Sequence, residues 1–103
     1  MKSTDFTRSD RLSDQIKTEL SSILVNQVKD PRLEGLTIIR VELSNDIKKA
    51  YVFFSTLNSF TKVDFEEIKV TLDTAKGFIR SNLAKRLRIK RLPELNFQED
   101  QFN

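Results

Sequence analysis

The sequence contains no cysteine, no histidine and no tryptophan, and it has only two glycines and two prolines. Without cysteine there is no disulfide scaffold, no thiolate metal site and no cysteine nucleophile. Without histidine as well, a general base would have to be a carboxylate or a lysine. The acidic neighbours Glu66/Glu67 and Glu99/Asp100 are adjacent in sequence and do not face one another on a helix, so they form no catalytic pair. With Gly35 and Gly77 as the only glycines, neither a GxxxxGK[ST] phosphate loop nor a GxSxG elbow occurs. Nothing positive supports a metal site, a cofactor or a small-molecule ligand, and the expectation is a protein that is not an enzyme. No apolar run approaches the ~18 residues needed to span a bilayer, and the polar start "MKSTDFTRSD" lacks the apolar centre of a signal peptide. The expected location is the cytoplasm, with no membrane partner.

What is present describes a single globular domain. At 103 residues with 38% hydrophobic and 32% charged residues, and with eight phenylalanines, the chain can bury a core and is not composed like a disordered segment. One domain over residues 1–103 is expected, with residues 1–8 and 98–103 as polar termini that are candidates for disorder. The net charge is only +3, but its distribution is uneven: residues 76–91 hold seven basic residues (Lys76, Arg80, Lys85, Arg86, Arg88, Lys90, Arg91) and no acidic one, leaving 11 basic against 15 acidic elsewhere. A basic segment on a slightly acidic body is the footprint of a polyanion contact, because each neutralised phosphate releases counterions. The bland rival is a solvated helix face.

The periodicity gives the elements. "SDRLSDQIKTELSSILVNQVKD" repeats Leu12, Ile16, Leu20, Ile23, Leu24 and Val28 at helical spacing, with Ser9 or Asp10 as N-cap. "KDPRLEG" stops that helix through Pro31 and Gly35. "LTIIRVELS" alternates, placing Ile39, Val41 and Leu43 on the buried face, and "AYVFFST" alternates Ala50, Val52 and Phe54 against Tyr51 and Phe53. With the polar turn "NDIKK" between them, these segments form an antiparallel hairpin. The next apolar arc, through Phe65, Ile68, Leu72, Ala75, Ile79, Leu83 and Leu87, would make one helix of roughly 39 Å. A domain of this length is only about 33 Å across, so two helices joined near Ala75, Lys76 and Gly77 are expected. "RLPELNF" adds a third strand after Pro93. The order is αββααβ: an α+β domain, three strands with the helices on one face. This is the order of type II KH domains, which grip single-stranded RNA with a GXXG loop between two helices. Here Ala75-Lys76-Gly77 stands in that place.

The chain resembles the bacterial ribosome-binding factor A family. The resemblance runs through Arg8 and Arg11 at the first helix, "KDPRLEGLTIIRVELSNDIKKAYVFFS" over residues 29–55, and "AKGFIRSNLAKRLRIKRLPELNF" over residues 75–97. Members of that family resemble type II KH domains in which an Ala-x-Gly kink replaces GXXG, bind the small (30S) ribosomal subunit and assist late maturation of 16S ribosomal RNA. The resemblance therefore implies a small-subunit assembly factor, with the 30S subunit and 16S rRNA as partners and a monomer as the working form. The chain departs from many members in ending soon after the third strand, which bears on any contact that a longer tail makes.

Each candidate contact has a structural rival. Arg80, Ala84 and Arg88 lie at four-residue spacing, and small Ala84 between two arginines leaves room for a phosphate backbone that arginine can hold bidentately. This stripe is the first choice for RNA, with Lys76 and Lys85 flanking it and Lys90 and Arg91 on the helix exit. Arg86 projects near the apolar arc, where a structural role and a phosphate contact compete. Arg32 either reaches RNA or belongs to a turn set by Asp30 and Pro31. Arg8 and Arg11 oppose the dipole at a helix start, which favours a ligand contact, while Asp14 is a rival partner for Arg11. Tyr51 and Phe53 are expected in the core against the helices rather than as a base-stacking platform. The reading is thus a KH-like RNA binder that stabilises one rRNA conformation. Its rivals are a protein-interaction module with a solubilising basic helix, and a small nuclease.

Overall fold

A computed structural model describes residues 8–56 and 65–100. Of the polar termini named above, residues 1–7 and 101–103 lie outside the described residues. Helix α1 (Arg8–Asn26) is followed by a single 3₁₀ turn (Pro31–Leu33), strands β1 (Thr37–Leu43) and β2 (Lys49–Ser55), helices α2 (Phe65–Thr74) and α3 (Lys76–Leu87), and strand β3 (Glu94–Glu99). The order is the αββααβ expected. The sheet order is β1-β2-β3, with β1 antiparallel and β3 parallel to the central β2. A parallel neighbour needs a crossover connection, and α2 and α3 supply it.

The core lies between one sheet face and the helices. Ile16, Leu20 and Ile23 of α1, Ile68 and Leu72 of α2, and Ile79 and Leu83 of α3 meet Ala50, Val52, Phe54, Leu95 and Phe97 of the sheet, all essentially inaccessible to water. The helix arc and the β2 alternation predicted from periodicity are the ones buried.

Several local expectations need correction. In β1 the register shifts between Ile38 and Arg40, so Ile39 is the extra residue of a β-bulge; Ile38 and Val41 are buried while Ile39 is only half-buried. A bulge inserts one residue and so flips the alternation on one side of it. Tyr51 and Phe53 point to the face away from the helices and are half-buried rather than core. There the Arg40 guanidinium lies 3.9 Å from the Phe53 ring centroid, a cation–π contact. Helix α1 already includes Ser9 and Asp10, so neither is its N-cap. At the other end β3 runs through Gln98 and Glu99, which composition alone places in a polar tail. Asp100 is buried there: its N–H donates to the Phe54 carbonyl at 2.8 Å, and its carboxylate accepts from Arg40 Nη1 at 2.8 Å.

The break between α2 and α3 falls on Ala75, whose φ of −86° and ψ of 0° leave the helical region. The Ala75 N–H still bonds the Thr71 carbonyl, and its own carbonyl accepts from Ile79, so the two helices meet with almost no connector. Lys76 and Gly77 are the first residues of α3 rather than part of a loop.

Candidate nucleic-acid interface

The seven cations of residues 76–91 divide sharply by what their side chains touch. Arg80, half-buried on α3, donates Nη1 to the Pro93 carbonyl at 2.7 Å and Nη2 to the Leu92 carbonyl at 3.1 Å. Both carbonyls sit on the connector between α3 and β3, and the planar guanidinium fork bridges them. Arg86 reaches α1, where Nη1 lies 3.0 Å from Glu19 Oε1 and 3.2 Å from Ser22 Oγ. Lys76 faces Asp73 across the helix break at 3.7 Å. Arg80 and Arg86 are tied into the fold by hydrogen bonds, whereas Lys76 has only this loose contact across the break. Two of the five N–H donors of Arg80 are thus taken by backbone carbonyls, a structural role beside the expected arginine stripe; for Arg86 the contacts to Glu19 and Ser22 are those of the structural rival.

Lys85, Arg88, Lys90 and Arg91 are exposed, and their side chains make no ion pair or hydrogen bond among the described residues. Lys85, in the last turn of α3, also complements the negative end of the helix dipole. Arg88 ends the helix in the left-handed conformation, φ 56° and ψ 43°, with its N–H donating to the Ala84 carbonyl. Glycine is the usual occupant of such a position. The turn sends the chain off the helix axis, and Arg80 holds the far end of the connector. Lys90 and Arg91 are thereby carried on a short segment fixed at both ends.

Arg32 is tied locally: Asp30 Oδ1 accepts the Arg32 backbone N–H at 3.0 Å and Nε at 3.1 Å, and Oδ2 accepts Nη2 at 2.8 Å. The Arg32 side chain, its N–H and its charge hold the Asp30 carboxyl below its ordinary pKa. The turn reading of "DPRL" is the one observed. Arg8 and Arg11 lie exposed in the first turns of α1, and no ion pair joins Arg11 to Asp14.

Three further features bear on this surface. Gly77 is exposed, and a Cβ built on it would meet nothing within 4 Å; the chain's own packing does not demand glycine there. Beside it Phe78 is 49% exposed, a large apolar ring facing solvent. Lys48 and Lys49 are a feature that sequence reasoning missed. The pairing of Lys49 with Glu94, and the bond from the Glu94 N–H to the Lys48 carbonyl at 2.8 Å, bring the β1–β2 hairpin alongside the α3–β3 connector. The signal available was the pair of lysines in "NDIKK", but its neighbour depended on a parallel register that periodicity does not give.

A three-stranded sheet covered on one face by helices in αββααβ order, with Ala75-Lys76-Gly77 at the helix break and no GXXG, defines a KH-like domain of the type II order. Residues 8–103 match the family model for ribosome-binding factor A, and the chain belongs to that family. The ribosome-binding factor A of Dechloromonas aromatica is 42% identical over 100 residues, covering 97% of this chain and 79% of the relative. That of Pediococcus pentosaceus is 43% identical over 94 residues, covering 91% and 80%. Among solved structures, the crystal structure of ribosome-binding factor A from Thermus thermophilus superposes with a TM-score of 0.76 at 30% identity, covering 90% of this chain and 97% of that one. A homology model of the Thermus thermophilus protein, fitted into the cryo-EM map of a 30S complex, superposes with a TM-score of 0.70 at 31% identity, covering 85% and 90%. Among the described residues no helix is long and apolar enough to cross a membrane, and no cluster of acidic side chains is arranged to hold a metal ion.

Proposed function

We propose that this chain is a small-subunit assembly factor that binds 16S rRNA in free or precursor 30S subunits and assists late 16S rRNA maturation, working in the cytoplasm as a monomer and without covalent chemistry. The observation that carries the reading is the set of four exposed cations, Lys85, Arg88, Lys90 and Arg91, at the end of α3, whose side chains have no partner among the described residues. In a segment whose Arg80 and Arg86 are hydrogen-bonded into the fold, such a cluster supports phosphate recognition. Membership of the ribosome-binding factor A family, and the fit of a relative into a 30S complex, support the ribosomal subunit as the carrier of those phosphates.

The surface has complementary parts. The cations supply sequence-independent attraction, and Arg88 offers the forked geometry that suits phosphate oxygens. Gly77 presents bare backbone at the start of α3, so that a sugar-phosphate chain can come closer than any side chain would allow. Phe78 supplies a ring on which an unpaired base can stack. Lys76 can leave the loose 3.7 Å contact with Asp73 to join them. Binding to one rRNA conformation stabilises that conformation by mass action, which is all that an assembly factor of this kind needs.

Sedimentation of purified protein with mature and precursor 30S subunits tests the reading. Co-migration that weakens steeply with salt is expected, whereas co-migration with a nuclease-resistant protein complex, and not with subunits, would contradict it.

A further inference from the structure

We infer that the tip of the β1–β2 hairpin is a second arm of the rRNA-binding surface, with Lys48 and Lys49 as phosphate contacts continuous with the cations at the end of α3. The inference rests on the rRNA reading above and extends it to residues on a different element.

Four observations carry it. First, the hairpin and the α3–β3 connector are joined: Lys49 pairs with Glu94, and the Glu94 N–H bonds the Lys48 carbonyl at 2.8 Å. Second, Lys48 and Lys49 are exposed, and their ammonium groups make no hydrogen bond or ion pair among the described residues. Third, their backbone is held rigidly. Ser44 Oγ donates to Asp46 Oδ1 at 2.7 Å and accepts the Lys48 and Lys49 N–H groups at 3.2 and 3.0 Å, while Asp46 Oδ1 also accepts the Lys48 N–H at 3.1 Å. The nearby carboxylate of Asp46 is thus engaged by the turn itself. Fourth, the described residues other than glycine with positive φ are Ile47 (58°) and Arg88 (56°), one in each of these joined segments. A β-branched residue at such an angle is a true outlier, and strain of this kind collects where geometry serves a ligand.

Together Lys48, Lys49, Lys85, Arg88, Lys90 and Arg91 outnumber the two carboxylates of the same segments, Asp46 and Glu94. The surplus is supplied by a turn and a connector that hold their own backbones in place, so phosphates meet a surface already shaped. A preformed surface loses less conformational entropy on binding.

The test is the salt dependence of binding to purified mature 30S subunits. Neutralising the hairpin with Lys48→Gln and Lys49→Gln leaves every backbone bond of the turn in place. The expected result is weaker binding, with the slope of log K against log salt smaller in magnitude by about 1 to 2. A charge-matched control, Lys17→Gln with Lys29→Gln, changes exposed lysines on α1 and the loop after it; it should leave the slope near that of the unmodified protein. Wild-type slope and affinity in the hairpin variant, or an equal fall in the control, would overturn the inference. The variant with Lys85, Arg88, Lys90 and Arg91 all changed to Ala, run in parallel, separates the two claims. If it loses binding while the hairpin variant does not, only the hairpin arm falls; if neither loses binding, the rRNA reading falls with it.

Discussion

Arg80 and Pro93 are joined across the end of the molecule, the guanidinium Nη1 donating to the proline carbonyl at 2.7 Å while Nη2 holds the neighbouring Leu92 carbonyl at 3.1 Å. This pair fixes where the α3–β3 connector runs, and through it where Lys90 and Arg91 stand, which gives Arg80 a structural role in placing those two cations.

Replacing Arg80 by Ala leaves the carbonyls of half-buried Leu92 and buried Pro93 without their charged donor. Hydrogen bonds to charged groups of this kind are worth about 1.5–3 kcal/mol, so a loss of roughly 2–3 kcal/mol in unfolding free energy is expected, measured by urea denaturation. Arg80→Lys should recover only part of it, because an ammonium cannot span both carbonyls with a planar fork. A variant as stable as the wild type with a selective loss of subunit binding would show instead that Arg80 is a direct contact.

Gly77 gives the opposite pattern. Nothing lies within 4 Å of a Cβ added there and the residue is helical, so Gly77→Ala should stabilise the protein by about 0.5–1 kcal/mol. If an rRNA backbone approaches this surface, the same methyl weakens 30S binding. A gain in melting temperature with unchanged binding would place the ligand elsewhere.

Arg88 combines strain with exposure. Releasing a non-glycine residue from the left-handed region is worth roughly 1 kcal/mol, so Arg88→Gly should melt a few degrees higher. It should also bind 30S subunits with a salt slope smaller by about 0.7–0.9. Stability and affinity moving in the same direction would contradict this assignment.

Two carboxylates with depressed pKa values shape the acid behaviour, Asp30 before the 3₁₀ turn and Asp46 in the hairpin. Asp46 is held below its ordinary pKa of 3.8, chiefly by the Ser44 hydroxyl and then by the Lys48 N–H. A group with a depressed folded pKa contributes stability that is complete above its unfolded value and is lost as pH falls through the folded one. With no histidine in the chain, stability should be level between about pH 6 and 8. It should then fall below about pH 4, and Asp46→Asn should flatten that acid limb. An equally steep acid limb in the variant would remove Asp46 from the account.

Much of this was legible in the sequence because side-chain period follows secondary structure. Ile16, Leu20 and Ile23 on one helical arc and Ala50, Val52 and Phe54 on one strand face were readable from spacing alone, and all are buried. Length against domain diameter anticipated the break near Ala75. The bulge at Ile39 was not legible, since nothing in "LTIIRVELS" marks the extra residue; nor was the outward face of Tyr51 and Phe53, where aromatic composition argued for the core and the one-sided helix layer decided otherwise. The charges were legible as a group but not one by one. Arg80 and Arg88 look alike at four-residue spacing, and only the three-dimensional path of the connector shows that one finds carbonyls while the other finds solvent.

The central claim is that Lys85, Arg88, Lys90 and Arg91 bind rRNA phosphates. The most direct measurement is the affinity of the variant with all four changed to Ala for purified 30S subunits across a salt series, with its fold checked by circular dichroism. The expected result is a folded protein with much weaker binding and a slope of log K against log salt smaller by about 3. A folded variant that keeps the wild-type affinity and slope would contradict it.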